Sequence, residues 1–220
     1  MLKIGHRGAK GHVPENTIES FLKAFELGAD GIELDVHLSV DDEAIVIHDE
    51  TVDRTIKNAA GFVKDFTVAE FQKLGIPTLV EVFHILPEGA FLNIEIKEPN
   101  AAKIVVEEIE KFVRLKEISY KNVAVSSFDW EVLKDIKTLN PKIRLGVLTE
   151  ENLAAAFELA KEIEAYSINP WFELLTTEFI ELAHEQKFKI HTFTVNSPED
   201  ITFVRKLGVD AIISDFPDRL

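Results

Sequence analysis

Gly31-Ile32-Glu33-Leu34-Asp35-Val36 is the stretch on which the reading of this chain turns. Side chains of an extended strand alternate between two faces, so Glu33 and Asp35 share one face and Ile32 and Leu34 the other. The pattern returns in Phe91–Lys97, where Glu95 and Lys97 share a face opposite Ile94 and Ile96. Six more short apolar runs read as strands: Leu2–Gly5, Asn122–Ser126, Ile143–Leu148, Ala165–Ile168, Lys189–Thr194 and Ala211–Ser214. Charges facing the inside of such a sheet are expensive to bury unless they pair, hold a metal or meet a charged ligand.

Helical patterns lie between the runs, at Thr17–Leu27, Ala101–Lys116, Trp130–Leu139, Leu153–Ile163, Thr177–Gln186 and Pro198–Leu207. Punctuation agrees: Asn16 or Thr17 caps the first, Ser197-Pro198-Glu199-Asp200 opens the last, and Gly28 and Gly208 stand at left-handed helix ends. Strands alternating with helices give a parallel sheet with helical crossovers, and eight strand candidates predict closure as a (β/α)8 TIM barrel. An open doubly wound sheet is the competing fold. Two departures from a regular barrel are expected. Val36–His48 reads as a β-hairpin turning at Asp41-Asp42, and the chain stops soon after Ser214, leaving no room for a full eighth helix.

Composition narrows the function. The 220 residues contain no Cys, which excludes thiolate metal sites, disulfides and Cys nucleophiles. Lys and Arg number 24 against 39 Asp and Glu, a formal charge of −15, which argues against nucleic acid and against anionic lipid. No segment approaches the ~18 apolar residues of a membrane span. No secretory segment is visible, so a cytoplasmic protein is expected. A homo-oligomer is compatible with the sequence.

In a parallel barrel, chemistry gathers at the C-terminal strand ends. The first strand ends there in His6-Arg7-Gly8. A hairpin turning at Asp41-Asp42 opposes Leu38 with Ile45, Val36 with Ile47 and Asp35 with His48, returning His48 to the acids. Glu33, Asp35 and Glu95 form a hard oxygen site suited to Mg²⁺ or Ca²⁺. Arg7 offers a planar fork for phosphate oxygens and Lys97 a point charge. His6 and His48 can exchange acid and base roles across a substrate. Together they describe phosphoryl chemistry on a small anionic ester.

These motifs continue in order: Pro14-Glu15-Asn16-Thr17, His48-Asp49, Asp53-Arg54-Thr55, Ile76-Pro77-Thr78-Leu79, Ser127-Phe128 and Asp210–Pro217. With His6-Arg7-Gly8, Glu33–Val36 and Glu95-Ile96-Lys97, the set resembles the glycerophosphodiester phosphodiesterase family over nearly the whole chain. The resemblance implies one domain over residues 1–220, a TIM barrel of the phospholipase-C-like phosphodiesterase type, and hydrolysis of glycerophosphodiesters to sn-glycerol 3-phosphate and an alcohol. It also implies His6 and His48 as the acid/base pair, Glu33, Asp35 and Glu95 as ligands of a divalent cation (Mg²⁺ or Ca²⁺), and Arg7 and Lys97 beside the phosphate. Two features depart from the family. Its insertion before Ile76-Pro77 is reduced here to residues 51–76, and Phe193-Thr194-Val195-Asn196 stands where Trp-Thr-Val-Asn is common, leaving Phe193 as an apolar wall for the glycerol carbons. A lysophospholipid or another phosphodiester is the alternative substrate, and a non-catalytic barrel holding phosphate esters is a third reading.

Other polar residues read more plainly. His12, His84, His184 and His191 are expected on the surface or in packing, and His37 lies beyond the strand top. Glu15 and Asn16 read as cap residues and Asp210 and Asp215 as turn formers. Asp49 either orients His48 or begins a turn, and Arg54 either pairs with an acid or reaches substrate. Glu107-Glu108 reads as solvated surface.

Overall fold

The apolar runs become strands that hydrogen-bond side by side until the sheet closes on itself. The computed structural model describes residues 1–220. Its strands are β1 (Leu2–Gly5), β2 (Gly31–Leu38), β3 (Ala44–Val46), β4 (Phe91–Ile96), β5 (Val123–Ser127), β6 (Arg144–Thr149), β7 (Ser167–Pro170), β8 (Lys189–Thr192) and β9 (Ala211–Ser214). The order is β1-β9-β8-β7-β6-β5-β4-β2-β3, and β1 also pairs with β2, so eight parallel strands form a closed barrel. Only β3 is antiparallel. The open doubly wound sheet is thereby excluded.

The helices are α1 (Ile18–Glu26), α2 (Val68–Leu74), α3 (Leu79–Ile85), α4 (Ala101–Arg114), α5 (Trp130–Leu139), α6 (Leu153–Glu162), α7 (Thr177–Glu185) and α8 (Pro198–Leu207). The Thr17 side chain caps α1, Ser197 caps α8, and Gly208 ends α8 with φ +89°. Between β3 and β4 lie α2 and α3, each opened by a reciprocal capping box, Thr67 with Glu70 and Thr78 with Glu81. β9 is followed by one turn of 3-10 helix, Pro217–Arg219. No helix is long and apolar enough to cross a membrane.

Ile32, Leu34, Ile94 and Ile96 point outward into the main core, which they share with Val105, Ile109 and Phe112 of α4. That frees the alternate residues of β2 and β4 for the interior. Gly31 is required by crowding at the base of this pair, because a Cβ there would lie 2.3 Å from the Phe91 carbonyl oxygen. Residues 51–76 close over the hairpin through a separate apolar cluster of Ile45, Ile47, Val52, Val63, Phe71 and Ile76.

The hairpin forms, but in a register one residue shorter than expected. Val36 pairs with Val46, His37 with Ile45 and Leu38 with Ala44. The cause is the loop. Asp42 sits at φ +58°, its amide bonds the Ser39 carbonyl, and the Ser39 amide bonds the Glu43 carbonyl. That is a three-residue connection ending in a left-handed residue, where a two-residue turn at Asp41-Asp42 was expected. Asp35 therefore faces Ile47, whose amide bonds the Asp35 carbonyl at 3.0 Å. His48 reaches the barrel mouth because the chain leaves the sheet after Val46, and not by pairing with Asp35.

Glu108 also departs from expectation. Its Oε2 is buried without a hydrogen-bond partner, and burial with the nearby Glu43 charge raises its pKa to about 7. It is no solvated surface acid.

Candidate active site

β1 delivers its last residues to the mouth through a tight reversal. Arg7 has φ +49° and Gly8 φ +84°, and a Cβ on Gly8 would fall 2.4 Å from Ser20 Oγ, so only glycine fits. The reversal aims the Arg7 amide at Glu33 Oε2, 3.0 Å away. Arg7 Nη1 donates to Glu15 Oε1 at 2.7 Å, and its Nε lies 3.2 Å from Asp35 Oδ2.

β2 and β4 run in register with Asp35 beside Glu95 and Glu33 beside Asn93. Glu33, Asp35 and Glu95 thus point into one place, each offering an oxygen within 4.8 Å of the others. Their electrostatics are strained. Burial and the charge of Asp35 push Glu33 well above its usual range and Glu95 up to about 7. Burial also opposes ionisation of Asp35, but Lys97, Arg7 and His48 together hold its pKa below the ordinary value. Asp35 Oδ1 is buried without a hydrogen bond. Lys97 Nζ sits 2.5 Å from Glu95 Oε1 and 3.4 Å from Asp35 Oδ1. Three carboxylates crowded this closely resist ionising together, and a divalent cation is the group that would let them do so. Beside His6, Glu33 and Glu95, under Phe193, a cleft of about 20 Å³ has room for one water-sized species. The three carboxylates fit a divalent cation.

Both imidazoles are held by an aspartate. His6 Nδ1 lies 2.6 Å from Asp215 Oδ1, and His48 Nδ1 lies 2.6 Å from Asp49 Oδ1. Asp215 and Asp49 are both held below the usual carboxylate range, so they accept and the Nδ1–H groups donate. Each ring therefore keeps Nε2 without a proton and free to act as a base, with His6 Nε2 4.0 Å from Glu33 Oε2. Burial lowers the pKa of both rings, partly offset at His6 by Asp215 and at His48 by Asp35 and Asp49.

The profile of the Glycerophosphoryl diester phosphodiesterase family matches residues 6–219. The chain belongs to this family of phosphoric diester hydrolases. It is 42% identical to a glycerophosphodiester phosphodiesterase of Caldanaerobacter subterraneus, over 100% of this chain and 96% of that protein. A glycerophosphodiester phosphodiesterase of Bacillus altitudinis is 38% identical over 100% of this chain and 96% of its own. Among solved structures, the Thermotoga maritima glycerophosphodiester phosphodiesterase superposes with a TM-score of 0.87 at 32% identity, covering 99% of this chain and 96% of that one. An Oleispira antarctica phosphodiesterase in complex with the product sn-glycerol-3-phosphate gives 0.88 at 25% identity, covering 98% and 93%.

This diesterase fold brings together all eight residues singled out at the strand ends: His6, Arg7, Glu33, Asp35, His48, Glu95, Lys97 and Phe193. It also assembles partners that the sequence reading assigned elsewhere. Asp215 is no mere turn former; besides His6 it accepts from Asn196 Nδ2 at 2.8 Å. Asn16 does not cap α1, since its Nδ2 donates to Asp35 Oδ2 at 2.9 Å. Asp49 orients His48, and Arg54 pairs with acids, donating from Nε to Asp49 at 2.6 Å and from Nη2 to Glu15 at 2.7 Å. Glu15 is thereby a bridge between Arg7 and Arg54 and not a cap; burial opposes its charge, but the two guanidiniums bring its pKa down to about 2. Asp215 directly follows β9 while Glu15 lies well beyond β1, and the signal for both was their place in the motifs that carry the family resemblance.

Proposed function

We propose that the chain hydrolyses glycerophosphodiesters to sn-glycerol 3-phosphate and an alcohol, with Glu33, Asp35 and Glu95 holding Mg²⁺ or Ca²⁺. The observation that carries this reading is the pair of Asp-held imidazoles, each with Nε2 free, flanking three crowded carboxylates that resist ionising together. The bound cation would supply charge stabilisation at the phosphoryl oxygens and favour ionisation of the attacking hydroxyl. One imidazole Nε2 takes the proton of the glycerol 2-hydroxyl as its oxygen bonds to phosphorus. The other gives a proton to the alcohol oxygen as that P–O bond breaks, leaving a cyclic phosphate. Water then opens the ring with the two roles reversed. Arg7 and Lys97 stand where charge accumulates on phosphorus-bound oxygens, and Phe193 forms an apolar wall.

The mouth also exposes Phe128 and Trp171, 43% and 36% accessible, beside Phe193. This aromatic rim favours lysophospholipid as a second substrate reading. Turnover followed by phosphorus NMR on glycerophosphocholine, glycerophosphoethanolamine and lysophosphatidylcholine decides between them. The expected result is glycerol phosphate from the water-soluble diesters with Mg²⁺ or Ca²⁺, a transient cyclic phosphate, and no product after chelation. Product from none of the three with either cation would overturn the reading.

A further inference from the structure

A cavity lies beside His48, outside the carboxylate cluster. It encloses about 740 Å³ between the loop after β1 and the 55–57 and 73–76 turns, and His48, Glu15 and Asn16 form part of its wall. Lys10, Lys57 and Lys73 also stand in its wall, among apolar residues such as Val13, Ile56 and Leu74.

Its charge balance is opposite to that of the molecule. Glu15, the acid in the wall, is spent on Arg7 and Arg54, and Asp49 behind His48 is spent on Arg54 as well. Lys57 and Lys73 make no ion pair, and Lys10 reaches Glu15 only at 3.9 Å. Elsewhere Lys23, Lys134 and Lys161 are matched to Glu26, Glu131 and Glu158. In a chain with a formal charge of −15, three ammonium groups therefore gather around one cavity that a candidate acid/base residue also lines.

Size distinguishes the hollows beside the two imidazoles. The cleft at His6 is closed by Leu148, Phe193 and Ile213 and has room for about 20 Å³, so it takes no headgroup. The cavity at His48 does. We infer that this cavity is the subsite for the leaving alcohol and that Lys57 and Lys73, with Lys10, select alcohols bearing their own negative charge, such as a carboxylate. The inference rests on the diesterase reading above and names the substrate class within it. The lysines attract the charged headgroup through solvent, so the effect is electrostatic and weakens with salt.

Glycerophosphoserine and glycerophosphoethanolamine differ by a single carboxylate on the leaving alcohol and supply the test. For the wild-type chain, kcat/KM for the serine ester should exceed that for the ethanolamine ester by about fivefold at low ionic strength, the scale of an exposed charge pair. The ratio should fall toward one in the double variant Lys57→Gln/Lys73→Gln, and in the wild type at high salt, while turnover of the ethanolamine ester, whose headgroup is cationic, does not fall in the double variant. A wild-type ratio of one or less, or a preference that survives removal of both lysines, overturns the subsite. Failure of both esters to turn over in the wild type overturns the diesterase reading and the subsite with it.

Discussion

At the scale of single residues, the site depends on which nitrogen of each imidazole carries the proton. Asp215 accepts from His6 Nδ1 at 2.6 Å and so fixes the tautomer that leaves Nε2 as a base. Asp215→Asn would present an amide N–H to the same atom and favour the opposite tautomer, with the proton on Nε2. We predict a loss in kcat of about 10²- to 10⁴-fold with KM unchanged, since Asp215 positions His6 and does not touch substrate. Steady-state kinetics on glycerophosphocholine separates this from a structural defect, which would move KM and thermal stability together. The imidazoles and acids of the cluster were legible because each stands at a strand end or two residues from another charge. Asp215 was not, because an Asp just before Phe216-Pro217 gives the same local signal whether it makes a turn or a hydrogen bond.

At the scale of elements, the strands and the six longer helices matched the apolar periodicity to within about two residues at each end, the ordinary scatter of element boundaries. The β2–β3 register did not, because loop length depends on the left-handed Asp42, and no hydrophobic alternation reports a backbone dihedral. α2 and α3 were passed over since each has only 7 residues, too few for a helical stripe to declare itself. β8 carries a cost that periodicity equally conceals. His191 is buried inside the barrel, edge-on to Phe91 and Tyr166, with neither ring nitrogen hydrogen-bonded. Burial brings its pKa down to about 4. The folded chain therefore keeps His191 neutral while the unfolded chain binds a proton below about pH 6.5. Stability contributed by the neutral ring is complete above that value and is lost as pH falls toward 4, by an amount on the order of 3 kcal/mol. Denaturant midpoints measured across this window should fall more steeply for the wild type than for His191→Leu. Parallel profiles would show that the ring finds a partner or a route to water.

At the scale of the whole molecule, the barrel converts distant sequence positions into neighbours. His6 and Asp215 are separated by 209 residues, yet closure of β1 against β9 sets them in hydrogen-bond contact. Glu33, Asp35 and Glu95 meet because β2 and β4 are adjacent although β3, α2 and α3 intervene in the chain. His48, Asp49, Arg54, Glu15 and Arg7 form a continuous chain of hydrogen bonds that ties the loop after β3 to the loop after β1. The two imidazoles are thus fixed to one frame, and they should act as a unit whose loss is not additive. Turnover of glycerophosphocholine by His6→Ala, His48→Ala and the double variant tests this most directly. The account predicts a fall of about 10²- to 10⁴-fold for each single variant, with the double variant little worse than either alone. Full turnover in either single variant would contradict it.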